Sequence, residues 1–401
     1  MITSLFINRI SKTISKLFQN YFKLKIKIKI MDTTNSIIIS GSSHEELAQE
    51  ISQHCGIPLI PCRKTRFANS EWNFKILENI RNKDVFLIQT GTFDRENNIS
   101  INDYIIETII IINACRYSSC GKITLIMPFY PYCRGDKKDE ARTPISSRAI
   151  ADILQVDRVV TMDLHSAQQQ GFFGNGTRPI PVDNIYSLGI FKKYFEQNIF
   201  ENMTNEEINK QFVIVSPDEG GIKRTLKIAG VLGLTNYEFC HKQRIFDKPG
   251  VVGEMKLLNI CNLENKNAII CDDICDSGGT LMKCIDLLVA NGVKNVYCVI
   301  THGIFTKNAL KNISLNPHIK KFIVTNTIPQ YSHKSKCPKL EILSVGNLLS
   351  DVINCLCTGK SLSDLSCFNK NSNDKTLEDT NILNKEFMDF ALQHMEHLNT
   401  P

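Results

Sequence analysis

The chain has 401 residues, 42% hydrophobic and 22% charged, an ordinary globular composition with length enough for two α/β domains and end segments. Its formal net charge of +6 is concentrated in residues 1–31, which carry seven Lys or Arg and no acid, leaving 40 basic against 41 acidic residues from position 32 onward. A near-neutral body argues against nucleic acid as a partner, and the absence of 18 consecutive uncharged apolar residues argues against a membrane span.

The 15 cysteines are scattered without CxxC modules, and Cys271, Cys284 and Cys298 sit inside apolar runs. This fits reduced thiols in an intracellular, cytoplasmic compartment better than a disulfide framework, and it implies no zinc site. The leader "MITSLFINRISKTISKLFQNYFKLKIKIKI" is acid-free, rich in Ser, Thr and Asn and amphipathic over its first twenty residues. Organelle transit peptides share those features, so an organelle-targeted form is an open expectation beside a disordered leader. A start at Met31 would give a leaderless product.

From residue 36 the chain reads strand then helix, "SIIISG" followed by "SHEELAQEISQHCG", with a serine expected to cap the helix and a glycine to close it. Strand-like blocks follow at "DVFLIQTG", "KITLIMPF", "RVVTMDLH", "FVIVSP", "NAIICDD", "NVYCVITHG" and "KFIVTNTIP", separated by helical stretches such as "NDYIIETIIIINACRYSS" and "SSRAIADIL". Alternation of this kind predicts parallel sheets with crossover helices. So many strands need two sheets, with a boundary near residue 186. The expected organisation is a leader over 1–31, an α/β domain over 32–186, a second over 187–365 whose final segment is able to pack back on the first, and a polar tail over 366–401 holding a short amphipathic helix.

The stretch "AIICDDICDSGGT", residues 268–280, carries the first chemistry. Its apolar start reads as a buried parallel strand, and the carboxyl ends of such strands face the ligand crevice. Gly278 and Gly279, ahead of a helical "TLMKCIDLLVAN", offer backbone N–H groups to a phosphate. Asp272 and Asp273 repel a phosphate and suit sugar hydroxyls or a cation, so the loop describes a sugar phosphate. An acidic turn with Asp276 or Ser277 capping the helix accounts for the same residues equally well.

Four other segments add to it. In "TMDLHSAQQQGFF", Asp163 and His165 are expected on one side of a pleat, suited to a Mg²⁺ carried by a nucleotide. "YCRGDKKDEARTPIS" gathers Arg134, Lys137, Lys138 and Arg142 in one loop, a cation density suited to polyphosphate. "VSPDEGGIKR" repeats the strand-to-Gly-Gly design with Asp218, and "HKQR" places Lys242 and Arg244 at the mouth of a loop able to close.

Taken together, "GSSHEELAQEI", "RFANSEW", "INDYIIETIIIINACR", "RGDKKDEARTPIS", "MDLHSAQQQGFF", "PVDNIY", "SPDEGGIKR", "HKQR", "CDDICDSGGT", "THGIF" and "TNTIPQ" stand in one order. From about residue 36 to residue 365 the chain resembles the ribose-phosphate pyrophosphokinase (phosphoribosyl pyrophosphate synthetase) family. The resemblance implies two phosphoribosyltransferase-like α/β domains, each a mostly parallel sheet flanked by helices. It implies transfer of the β,γ-diphosphoryl group of ATP to the C1 hydroxyl of ribose 5-phosphate. Lys242 and Arg244 would meet the developing charge, and Mg²⁺ would be held through Asp163, His165 and Asp218. His165 is counted with the catalytic groups as well. Ribose 5-phosphate would be bound by Asp218, Gly220, Gly221, Asp272, Asp273, Asp276, Ser277, Gly278, Gly279 and Thr280. ATP would meet Arg134, Asp136, Lys137 and Lys138, with adenine against Phe67, Asn69 and Glu71 of a neighbouring subunit, hence a homo-oligomer and by resemblance a hexamer. Inorganic phosphate is an expected activator, at a regulatory site including Arg81, Gln170, Ser361 and Ser363.

The chain departs from the family's pattern in four places. Gly135 stands where glutamine is usual and is expected to free the loop. Residues after "GFF" run longer and lack an aspartate, Glu219 replaces a small residue between Asp218 and Gly220, and the family's aromatic "YLF" ending is "DLS" at Asp364–Ser366. Two alternatives follow. One is a catalytically weakened regulatory subunit, which would first lose its metal ligands and cations; the other is a phosphoribosyltransferase, which would not use ATP.

Overall fold

The computed structural model describes residues 35–244, 252–258 and 261–366. The leader, most of the polar tail with its expected helix, and the segment just after Arg244 lie outside the described residues. Two sheets organise the rest, and their strands are the apolar runs of the sequence.

The first sheet has the order β1 (Ser36–Ser40), β4 (Asp84–Ile88), β5 (Ile123–Met127), β6 (Arg158–Met162) and β9 (Val182–Ile185), every pairing parallel. Helices α1 (Glu45–Cys55), α2 (Ile101–Tyr117) and α3 (Ser146–Ile153) make the crossovers. Continuous burial along β1 and β5 matches their continuous apolar sequence, because helices cover both faces. The cap of α1 differs from expectation. His44 caps it by accepting from Leu47 N–H, while the Ser43 hydroxyl accepts from Thr90 N–H in the adjoining loop. Gly56 closes the helix with φ 73°, as the sequence predicts.

A hairpin of β2 (Cys62–Arg66) and β3 (Trp72–Ile76) stands beside this sheet and is tied to α2 by Trp72 Nε1–H donating to Asp103 O. The extra residues after "GFF" form the minimal hairpin β7 (Gly174–Asn175) and β8 (Arg178–Pro179), held to α3 by Arg148 Nη2 donating to Gly174 O.

The second sheet comprises β10 (Phe212–Ser216), β11 (Tyr237–Arg244), β12 (Val252–Leu257), β13 (Asn267–Cys275), β14 (Asn295–Gly303), β15 (Ile319–Thr325) and β16 (Leu340–Leu343). Its order is β12-β11-β10-β13-β14-β15-β16, with only β12 antiparallel. It is packed by α4 (Leu188–Asn198), α5 (Asn205–Gln211), α6 (Ile222–Leu232), α7 (Gly279–Ala290) and α8 (Ala309–Leu315). The short α9 (His333–Lys336) precedes β16. From β10 the chain builds outward to β11 and then crosses to β13 on the other side. Such a reversal leaves a crevice at the strands' carboxyl ends.

Helix α10 (Gly346–Thr358) follows the second sheet but packs on the first. Val345, Leu349, Val352 and Ile353 share a buried cluster with Ile38, Leu47, Ala48 and Ile51. The four-residue α11 (Ser363–Ser366) ends the described chain.

Candidate active site

Asp272 and Asp273 lie in the carboxyl-terminal half of strand β13, at the crevice between β10 and β13. Asp273 is 3% exposed, and both of its oxygens are engaged. His165 Nδ1 lies 2.8 Å from Oδ2, and Arg224 Nη1 lies 3.2 Å from Oδ1 and 3.6 Å from Asp272 Oδ1. Burial opposes charge on Asp273, but Arg224 and His165 outweigh it and hold the carboxyl well below its usual range. Asp272 moves the other way, raised by burial and by the adjacent Asp273 charge. The hydrogen bond to Asp273 raises His165 above the usual histidine range. The crevice floor is thus a hydrogen-bonded chain, His165–Asp273–Arg224, with Asp272, its pKa raised, beside it.

Arg224 was not singled out from the sequence, although a signal was there. It lies in the first turn of α6, where the helix dipole disfavours cations, and a cation in that place needs a local reason.

Two glycine turns flank the chain. After β13, Gly278 takes φ 73° and serves as the N-cap of α7 with no side-chain cap. The capping reading of Asp276 therefore fails. Asp276 accepts at Oδ1 from Thr306 Oγ1 at 2.5 Å and at Oδ2 from Arg134 Nη1 at 2.8 Å. Against partial burial, these bonds keep its carboxyl below the usual range. After β10, Asp218 Oδ1 accepts from Gly221 N–H at 3.0 Å, and Ser216 Oγ donates to Asp218 O at 2.7 Å. Both turns open on one cleft of about 640 Å³, which Arg134, Asp136 and Lys137 line from the first sheet's side. Lys138 is exposed next to them.

Asp163 requires a correction. β6 ends at Met162, so Asp163, with φ 38°, and His165 lie beyond the strand and no pleat aligns them. Asp163 is 2% exposed, and its Oδ2 accepts from Ser187 N–H, Ser187 Oγ and Thr301 Oγ1, which pins the β6 loop to α4 and β14. Among the described residues no three His, Cys, Asp or Glu side chains converge as a cation cage. Asp218 and His165 line the cleft, and Asp163 lines an adjoining hollow that shares His165 with it; two carboxylates and an imidazole so placed fit a hard cation that brings phosphate and water as most of its ligands.

The reading of Gly135 as a freer loop is also corrected. Its N–H donates to Tyr132 O and its carbonyl accepts from Ser147 N–H, each at 3.0 Å. A Cβ there would approach Ser146 Cβ to 3.1 Å, so the glycine admits the start of α3.

Other expected residues lie apart from the cleft. Phe67, Asn69 and Glu71 form the tip of the β2–β3 hairpin, with Phe67 57% exposed and Asn69 Oδ1 accepting from Glu71 N–H. Arg81, Gln170, Ser361 and Ser363 occupy three separate stretches: the turn before β4, the 3₁₀ helix Ala167–Phe172, and the segment after α10. The backbone of Lys242 and Arg244 lies at the end of β11, where the pairing with β12 shifts register. Their side chains lie outside the described residues. All cysteines among the described residues are free thiols. No described helix is long and apolar enough to cross a membrane.

Comparison with known proteins agrees with this geometry. Residues 36–157 match the N-terminal domain of ribose phosphate pyrophosphokinase, and residues 249–367 match the phosphoribosyl synthetase-associated domain. Ribose-phosphate pyrophosphokinase 2 of Schizosaccharomyces pombe is 39% identical over 336 residues, 83% of this chain and 98% of that protein. The crystal structure of phosphoribosylpyrophosphate synthetase from Mycobacterium smegmatis superposes with a TM-score of 0.70 at 31% identity, covering 81% of this chain and 99% of that one. The chain belongs to the ribose-phosphate pyrophosphokinase family.

Proposed function

We propose that the cleft transfers the β,γ-diphosphoryl group of ATP to the C1 hydroxyl of ribose 5-phosphate, yielding phosphoribosyl pyrophosphate and AMP. The observation that carries this reading is the meeting of two glycine turns, 218–221 and 276–280, on either side of the His165–Asp273–Arg224 chain in one cleft. One anion site suffices for a sugar phosphate. A second, with Arg134 and Lys137 opposite, suits a polyphosphate.

The residues divide the work by chemistry. Ser277, Gly278, Gly279 and Thr280 take the 5-phosphate at the N-terminus of α7. Asp272 accepts from ribose hydroxyls through Oδ2, because its Oδ1 takes the Asp273 N–H and both oxygens of Asp273 are already engaged. Asp273 holds His165 and Arg224 in place. Gly220 and Gly221 with Asp218 shape the turn that receives the transferred group. Arg134 bridges to Asp276 across the cleft and links the ATP side to the sugar-phosphate turn. The C1 oxygen bonds to the β-phosphorus and gives up its proton to water, while the bond from that phosphorus to the bridging oxygen of the α-phosphate breaks and AMP departs. Charge developing on the transferred group meets Arg224, Lys242 and Arg244. Mg²⁺ is the cation we assign to Asp163, His165 and Asp218, and when bound it neutralises phosphate charge.

We assign the adenine contacts to Phe67, Asn69 and Glu71 of a second copy, because this exposed tip does not line its own cleft. The working form is then a homo-oligomer. Lys138 extends the polyphosphate contacts, and Arg81, Gln170, Ser361 and Ser363 are assigned to a phosphate-responsive site between copies.

The test is AMP release from the full chain with ATP, Mg²⁺ and ribose 5-phosphate, with and without inorganic phosphate, beside a Lys242→Ala, Arg244→Ala variant. Ribose-5-phosphate-dependent AMP that falls on the order of 10²-fold or more in the variant supports the reading. A folded, oligomeric parent that releases none supports a regulatory subunit, and consumption of phosphoribosyl pyrophosphate with a base and no ATP supports a phosphoribosyltransferase.

A further inference from the structure

The turn that opens α6 carries a charge that phosphate binding does not use. Glu219, between Asp218 and Gly220, lines the cleft, where an unpartnered carboxylate would repel a phosphate. Its Oε1 is paired with Nδ1 of His241. His241 immediately precedes Lys242 on β11. The pair sits at the cleft's rim, with side chains 40% and 23% exposed.

The place of this contact along β11 gives it consequence. Parallel pairing with β10 runs from Ile214↔Tyr237 to Ser216↔Phe239 and stops there. Beyond Phe239 the strand pairs, among the described residues, with β12 alone, through Cys240↔Leu257, His241↔Lys256 and Lys242↔Met255, and the register then shifts before Arg244. β11 therefore leaves its parallel neighbour two residues before His241. The Glu219–His241 contact is a side-chain tie between the departing strand and the anion-binding turn at 218–221.

We infer that Glu219 is a positioning residue: by holding His241 it fixes where β11 leaves the sheet, and so where Lys242 and Arg244 approach the cleft. This inference rests on the proposed function above. It also accounts for a carboxylate beside an anion turn, since His241 engages its Oε1. A half-exposed pair adds little to global stability, so its loss is expected in turnover and not in folding.

The experiment measures kcat and KM for ATP and ribose 5-phosphate in the full chain, in Glu219→Ala, Glu219→Gln, His241→Ala and the double alanine variant, with melting temperatures alongside. Glu219→Ala and His241→Ala are each expected to lower kcat about fivefold to tenfold, with the double variant no worse than either, the signature of one shared interaction. KM for ribose 5-phosphate should stay level or fall in Glu219→Ala, because a negative charge leaves the cleft, and should rise in His241→Ala, where the carboxylate stays without its partner. Glu219→Gln, whose amide oxygen still accepts from His241, should recover kcat to within about twofold of the parent. His241→Ala breaks the same contact from the other side and serves if Glu219→Ala does not fold. An active parent with unchanged kcat in the alanine variants, or losses that multiply in the double variant, overturns the inference alone. A parent that releases no AMP overturns the functional reading, and the inference with it.

Discussion

Asp272 and Asp273 are adjacent carboxylates with opposite tendencies, and Arg224 contributes to the difference. It lies 3.2 Å from one and 3.6 Å from the other, and it joins His165 in keeping Asp273 ionised against burial. Arg224→Ala would leave Asp273 with only the imidazole and remove a cation from the transfer site. We expect kcat to fall on the order of 10²- to 10³-fold. Arg224→Lys should recover part of that loss but not all, because a single ammonium cannot face both carboxylates as a guanidinium does. Steady-state AMP release measures both, and equal activity of Arg224→Ala and the parent would remove Arg224 from the site. The sequence made the 268–280 loop legible because its parts are contiguous. The chain His165–Asp273–Arg224 was not legible, since its partners are 108 and 49 residues apart and only the sheet order brings them together.

At the scale of the element, α1 shows how a tertiary contact overrides local preference. Ser43 is the better intrinsic cap, but its hydroxyl serves Thr90 and leaves His44 to cap. His44 Nδ1 accepts from Leu47 N–H and Tyr331 Oη, while Nε2–H donates to Asn326 O at 2.8 Å. Only the neutral ring satisfies all three, and burial lowers its pKa from 6.5 to about 4. A histidine depressed in the folded state binds fewer protons folded than unfolded, so stability is full above pH 6.5 and falls as pH drops toward 4. Over that interval the loss attributable to His44 is roughly 3 kcal/mol. His44→Asn keeps a cap acceptor without the titration, so its stability between pH 4 and 6.5, followed by denaturant unfolding, should depend on pH less steeply than the parent's. Parallel profiles would refute this role. The strands show the same limit of local reading. The eight apolar runs named from the sequence became β1, β4, β5, β6, β10, β13, β14 and β15. The β2–β3 hairpin, half-exposed in alternation, carried too few apolar residues to stand out.

At the scale of the molecule, the two sheets are joined by more than the linker between β9 and α4. Helix α10, made after the second sheet, covers α1 and β1 of the first, and Ser350 Oγ donates to Ile51 O at 3.2 Å. A boundary near residue 186 therefore divides the sheets but not the core beneath α1, which draws residues from both ends of the chain. Leu349 is fully buried there, and Leu349→Ala should destabilise the chain by about 2–5 kcal/mol in denaturant unfolding. Residues 32–186 expressed alone would leave Ile38, Leu47, Ala48 and Ile51 without their α10 cover. That fragment should therefore fail to show a cooperative melt, and adding a peptide of residues 344–360 should restore one. A cooperative transition from the fragment alone would mean that the first sheet is self-sufficient and that α10 is only docked upon it. If the peptide is required, the first domain is completed by the chain's distant end, and the cleft between the sheets is held from both sides by a single folding unit.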